Sequence, residues 1–279
     1  MLMGRFTAAC VQMTTGIDPQ INLESATRLI ERAASAGAQF IATPEMTGCM
    51  NIKAGDRRAT IYAQSEDPLL KAFQDLAKDL NVTLLIGSLA FKAENDERMA
   101  NRSCLISSEG SLIATYDKIH MFDVEVGDGQ TYRESNTYRP GERAVLAETP
   151  HATLGLSICY DLRFPHLYRQ LAQNGAQILT CPAAFTKVTG EAHWHTLLRA
   201  RAIETGSYVI APAQSGLHED GRETFGHSLV IDPWGQIIAE STTVGEDVIL
   251  AEIDTAEVGT VRGRIPSLNK EQPFTISKK

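Results

Sequence analysis

The chain has 279 residues, 43% of them apolar and 22% charged, and a net charge of −8 at pH 7. This is the balance of a globular protein long enough to bury a substantial core. The acidic surplus and the lack of a basic patch argue against a nucleic-acid partner. No run approaches the ~20 apolar residues of a membrane span, so no membrane association is expected. Five cysteines, an odd number with no Cys-x-x-Cys spacing, suit a reducing compartment better than a disulfide frame or a zinc site. The start, Met1 to Arg5, lacks the apolar region of a signal peptide. A cytoplasmic location is the expectation.

Strands and amphipathic helices alternate along the chain. Phe6 to Met13 reads as a strand. Asn22 to Ala36 reads as a helix, with Leu23, Ala26, Leu29, Ile30, Ala33 and Ala34 on its apolar face and Gly37 closing it. Gln39 to Thr43 is a buried strand. A second helix begins at Asp67-Pro68, an N-cap followed by proline at the first helical position. Val82 to Leu89 is the next strand. Two hairpins come later, one turning at Ser108-Glu109-Gly110 and the other at Asp232-Pro233-Trp234-Gly235.

The chain echoes itself. Gly37 to Pro44 (GAQFIATP) resembles Gly175 to Pro182 (GAQILTCP), and Gly110 to Ala114 resembles Gly235 to Ala239 in the same order. Two similar halves predict two sheets stacked face to face with helices outside. No low-complexity linker parts the halves, so one domain spanning 1–279 is expected, with a core of 6–265 and a tail of 266–279.

Among the cysteines, Cys10, Cys104 and Cys181 lie inside apolar strand runs and read as small core hydrophobes, and Cys49 sits in a loop. Cys159 differs. The run Gly155 to Pro165 (GLSICYDLRFP) takes an apolar strand to the thiol, then to charge, then to a helix start, the strand-turn-helix setting that exposes a nucleophile. Glu45 follows Pro44 at a strand's end, Lys118 ends a hairpin strand, and Glu134 lies in a long loop without clear periodicity, a setting typical of functional lids. Histidine offers a rival engine. His120 and His227 are candidate bases, so a Cys-His-Asp arrangement stays open on the residues alone. His193 and His195, two apart on a helix, point in different directions and share no metal.

Three segments carry a resemblance: Pro44-Glu45-Met46, Asp117 to Asp123 (DKIHMFD) and Ile158 to Pro165 (ICYDLRFP). In order and strand context they resemble the signature blocks of the nitrilase (carbon-nitrogen hydrolase) superfamily, over about Phe6 to Ile265. Gly190 to Glu204 and Gly226 to Gly235 resemble the branch that holds the deaminated glutathione amidases and the ω-amidases. The tail from Pro266 departs from the basic one of the animal members.

The resemblance implies an α/β fold, a four-layer α-β-β-α sandwich, and a cysteine-dependent amidase working without metal or organic cofactor. It implies Cys159 as nucleophile, Glu45 as general base, Lys118 and the Tyr160 backbone N–H as oxyanion partners, and Glu134 as the acceptor holding Lys118 and the substrate amide. It also implies a thioester intermediate and a homodimer or homotetramer. The expected substrate is a small amide, deaminated glutathione first, giving 2-oxoglutarate and cysteinylglycine. α-Ketoglutaramate or another ω-amide is the alternative, and a nitrile or a catalytically silent interaction module are remoter ones. Arg163, four residues past the nucleophile, could pair with a substrate carboxylate, and Phe185 and Thr186 are candidate pocket walls.

Overall fold

The computed structural model describes residues 4–51, 61–93, 95–127, 129 and 131–278. Met1 to Met3, part of the start read as lacking a leader, lie outside them. Within the described residues no helix is long and apolar enough to cross a membrane.

The first sheet holds β1 (Arg5–Gln12), β2 (Phe40–Ala42), β3 (Thr83–Lys92), β4 (Met99–Ile106), β5 (Leu112–Asp117) and β16 (Asp247–Asp254), in the order β16-β1-β2-β3-β4-β5. The second holds β8 (Leu146–Glu148), β9 (Thr153–Gly155), β10 (Ile178–Thr180), β11 (Tyr208–Ala211), β14 (Leu229–Ile231) and β15 (Ile237–Glu240), in the order β15-β14-β11-β10-β9-β8. Both follow one scheme: three parallel strands, with an antiparallel strand on one side and an antiparallel hairpin on the other. The echoed segments occupy matching places, β2 with β10 and β5 with β15, so the repeat in sequence is a repeat in topology.

Strand alternation sorts the core. On β1, Phe6, Ala8 and Cys10 face the second sheet, while Ala9 and Val11 face helices α1 (Pro19–Ser35) and α2 (Pro68–Leu80). Helices α3 (Pro165–Gln173) and α4 (Lys187–Thr205) cover the outer face of the second sheet through Leu167, Leu171, Trp194 and Leu198. A last helix, α5 (Ala256–Arg264), precedes the tail. The expected four-layer sandwich is present.

The local signals held with small shifts. Asp18 caps α1 by accepting from the Gln20 and Ile21 amides, so the helix starts earlier than its apolar face predicts; Asp18-Pro19 is the same signal as Asp67-Pro68. Gly37 follows α1 at φ +95°, the left-handed conformation its position requires. The region of Glu134 departs from expectation. It is a short hairpin, β6 (Asp123–Glu125) with β7 (Thr131–Arg133), followed by a 3₁₀ turn over Glu134–Asn136.

Candidate active site

The two sheets converge at the ends of β2 and β10. Gly87 on β3 sits at this approach: a Cβ there would lie 2.1 Å from the Thr43 carbonyl oxygen and 2.5 Å from Pro182 Cβ. Only glycine permits that approach, which brings Pro44-Glu45 and Cys181-Pro182 together. Glu45 sits just past β2, Lys118 just past β5, and Cys159 opens a 3₁₀ turn (Cys159–Arg163) after β9. The Lys118 main chain is fixed on both sides, its N–H donating 2.9 Å to Asn101 and its carbonyl accepting from Gly141 at 2.7 Å.

Cys159 has φ +48°, a left-handed conformation costing a non-glycine residue roughly 1–2 kcal/mol. Its N–H donates to the Pro182 carbonyl at 2.9 Å, which holds the turn in place. The Tyr160 N–H then lies in the first turn of the 3₁₀ segment, where backbone donors lack an intrahelical acceptor.

Sulfur, carboxylates and ammonium meet there. Lys118 Nζ donates to Glu45 Oε1 at 2.9 Å and to Glu134 Oε1 at 3.0 Å, with its side chain 2% exposed. The second Glu45 oxygen accepts from the Ala184 amide at 2.9 Å, and the second Glu134 oxygen from the Phe122 amide at 2.7 Å. Asn101, on β4, spans both acids, its Nδ2 lying 2.9 Å from Glu45 and 3.2 Å from Glu134. The Cys159 thiol lines the same cavity as Glu45 and Lys118.

The electrostatics follow from burial and pairing. Burial alone would raise the Glu45 pKa, but the charge and hydrogen bond of Lys118 outweigh it and hold the carboxyl below its ordinary 4.5. The Cys159 thiol is pushed well above its ordinary 9.0, by burial first and then by the Glu45 charge, with Lys118 opposing. Lys118, despite burial, is held well above 10.5 by Glu134 and Glu45. At rest Glu45 is therefore a carboxylate, Lys118 an ammonium and Cys159 a neutral thiol.

A cavity of about 380 Å³ opens on this group, within the size range of small-molecule sites. One wall comes from β7 and the turn after it, through Tyr132, Arg133, Glu134 and Tyr138. The other comes from Phe185, Thr186 and Thr189 near the start of α4, with Arg222 and Thr224 on the hairpin of β12 (Ser215–Leu217) and β13 (Glu223–Phe225). Glu45, Lys118, Cys159 and Tyr160 complete the lining.

The carbon-nitrogen hydrolase family profile matches residues 7–263. The chain belongs to the carbon-nitrogen hydrolase family. It is 42% identical over 272 residues to a Synechocystis sp. protein named deaminated glutathione amidase, spanning 95% of this chain and 98% of that one. Its fold superposes on the Caenorhabditis elegans NitFhit protein with a TM-score of 0.90 at 37% identity, over 98% of this chain but less than two thirds (66%) of the worm chain. A Nesterenkonia sp. AN1 amidase, 26% identical with a TM-score of 0.78 over 94% of this chain and 95% of that one, carries the acetamide moiety of fluoroacetamide on its active-site cysteine. This carbon-nitrogen hydrolase is thus an enzyme acting on carbon–nitrogen bonds.

The structure brings Glu45, Lys118, Glu134, Cys159, Tyr160, Phe185 and Thr186 to one cavity. Arg163 is different. It is not among the lining residues; its guanidinium lies 5.2 Å from the Phe185 ring and 5.9 Å from the Tyr160 ring, beside His193. A 3₁₀ turn has 3.0 residues per turn, so the fourth residue after the nucleophile sits a third of a turn from its face. Arg222, missed in a Gly/Asp-rich hairpin, lines the cavity, as does Arg133 on the opposite wall.

His120 and His227 are not beside the sulfur. His120 Nδ1 lies 2.7 Å from Asp161 and His227 Nδ1 2.8 Å from Glu240. Asp161, read only as turn charge, ties the turn that opens at Cys159 to the Lys118 segment. Fully buried, it accepts from the Tyr116 hydroxyl at 2.7 Å, the Ile158 amide at 2.9 Å and the His120 amide at 3.0 Å. Asp161→Ala strands these buried donors and is expected to lower stability by about 3 kcal/mol in urea unfolding; a loss under 1 kcal/mol would remove this tie from the account.

Proposed function

We propose that this carbon-nitrogen hydrolase is a cysteine amidase that cleaves the side-chain-type amide of deaminated glutathione through a thioester on Cys159. The observation that carries it is the single buried ammonium of Lys118 shared by Glu45 and Glu134 beside a neutral thiol. In the mechanism we propose, the Cys159 sulfur attacks the amide carbon while its proton passes to Glu45. Negative charge leaves that carboxylate and appears on the former carbonyl oxygen. Both sites adjoin Lys118, so the ammonium exchanges one anionic partner for another and the net charge of the buried group stays constant. This keeps electrostatic reorganisation small in a water-poor site. The Tyr160 N–H is the second oxyanion donor. Glu45 then protonates the departing amine, the thioester forms, and water activated by Glu45 releases the acid. Glu134 and Asn101 position Lys118 throughout.

The resting protonation states set the pH profile. The base is competent while Glu45 is ionised, so kcat/KM falls on the acid side only as pH drops through a value below 4.5. On the alkaline side no decline comes from the thiol until well above 9.0. A pH titration of kcat/KM checks this; an acid limb centred near the ordinary histidine value of about 6.5 would replace Glu45 with a histidine base.

Three features support an acid-bearing amide of tripeptide size: the names of the relatives, the cavity volume and the guanidinium of Arg222 on its wall. In this reading Arg222, rather than Arg163, meets a substrate carboxylate, swinging from or sharing with Asp220, which it contacts at 2.8 Å. Arg222→Met is expected to raise KM for deaminated glutathione at least tenfold, with kcat reduced less than threefold; an unchanged KM would take Arg222 out of recognition. The substrate choice itself is tested by comparing kcat/KM for deaminated glutathione and α-ketoglutaramate. A clear preference for the smaller amide would make the enzyme an ω-amidase. The same reading carries a cytoplasmic location and a homodimer or homotetramer, to be checked by fractionation and light scattering.

A further inference from the structure

Away from the cavity lies a cluster of donors that no catalytic step uses. His195 is on α4, His227 in the turn before β14, and Glu240 at the end of β15. His195 Nε2 is 2.7 Å and His227 Nδ1 2.8 Å from the same oxygen, Glu240 Oε1, and one donor atom from each residue lies within 4.8 Å of the other two. We propose that His195, His227 and Glu240 form a binding site for a late first-row divalent cation of the zinc class.

The donor set carries the choice of ion. Two imidazoles with one carboxylate suit zinc, cobalt or nickel, whereas magnesium and calcium demand mostly oxygen. A tetrahedral ion with bonds of 2.0–2.2 Å needs its ligand atoms roughly 3.3 Å apart. The three atoms are already gathered at about that scale, so small side-chain rotations admit the ion. Three protein ligands leave the fourth position for water. The side chains are 24–33% exposed, so an ion enters from solvent without opening the fold.

The ligands are also held. The Phe225 ring stacks on His227 at 4.4 Å and 24° and meets His195 edge-on at 5.9 Å. The Trp194 indole N–H donates to the His227 carbonyl at 2.9 Å. Such surroundings fix ring orientation as supporting shells do in metal sites. The competing role for the trio is a hydrogen-bonded clamp between α4 and the β14–β15 hairpin, with both rings donating to the acid.

Cobalt(II) titration of metal-stripped protein in a Cys159→Ala background, followed by visible absorption and calorimetry, separates the two. The expected result is one Co²⁺ per chain with the strong visible bands of a tetrahedral nitrogen/oxygen site and no thiolate charge-transfer band. His195→Ala and Glu240→Gln should each weaken binding at least tenfold, Glu240→Gln retaining an acceptor oxygen for the fold. Thermal melts without metal confirm that the variants are folded. If one is not, the other and the parent spectrum decide. No saturable binding, unchanged affinity in a folded variant, or a thiolate band would overturn the site and leave the clamp.

Discussion

Replacing Cys159 with alanine should abolish turnover, by about a million-fold as for removal of other enzymatic nucleophiles, while leaving the fold intact. The side chain is 6% exposed and its Sγ supports no main-chain contact, the turn being held by the Cys159 N–H to Pro182. Loss of one buried heavy atom costs about 1 kcal/mol. The expected pattern is therefore unchanged circular dichroism, a small shift in urea midpoint and no product. Activity within tenfold of the parent in a folded variant would move the nucleophile elsewhere, Cys181 being the nearest other buried thiol that the fold places beside this turn.

Lys118→Met should damage stability and rate together. The ammonium is the shared partner of the buried Glu45 carboxylate and the half-buried Glu134, and removing one member of such a group typically costs about 3–5 kcal/mol. Glu45 and Glu134 would then face each other with only Asn101 between them, two acids left without their shared cation. Transition-state stabilisation falls as well, because the oxyanion loses its cation; about 10³-fold or more in kcat is expected. The linkage has a definite sign. Lys118 has a raised pKa, so its stabilising contribution is complete below its unfolded value and is lost as pH rises through the folded one. Glu45 has a lowered pKa, so its contribution is present above its unfolded value and is lost as pH falls through the folded one. Paired stability and kcat measurements test this. A variant as stable as the parent would show that the pair is not electrostatically linked.

Much of this architecture was legible in the amino-acid order because local signals and the fold agree. The Asp67-Pro68 helix start, the buried β2 and β10 runs and the echoed hairpins all read directly onto elements. Glu45, Lys118 and Cys159 were singled out through the resemblance of their segments to the family's blocks, since a charged group or a thiol at a strand's end has an ordinary structural reading of its own. Asn101 could not be, since it lies inside a strand between Ala100 and Arg102, in no recognisable motif, and its partners come from distant segments. Asp161 looked like a solvated turn residue although it is fully buried. Arg163 was read only from its place four residues past Cys159, whereas the chain takes a tight 3₁₀ turn there and breaks at Phe164-Pro165. The His195, His227 and Glu240 cluster is purely tertiary, joined only when α4 packs on the β14–β15 hairpin.

The most direct test is to mix the parent enzyme with deaminated glutathione, quench in acid within a turnover, digest, and weigh the peptide that contains Cys159. An acyl adduct of the 2-oxoglutarate moiety on Cys159, appearing and decaying with turnover, is the expected result. Turnover with no adduct under conditions where hydrolysis is rate-limiting, or an adduct on another residue, would contradict the account.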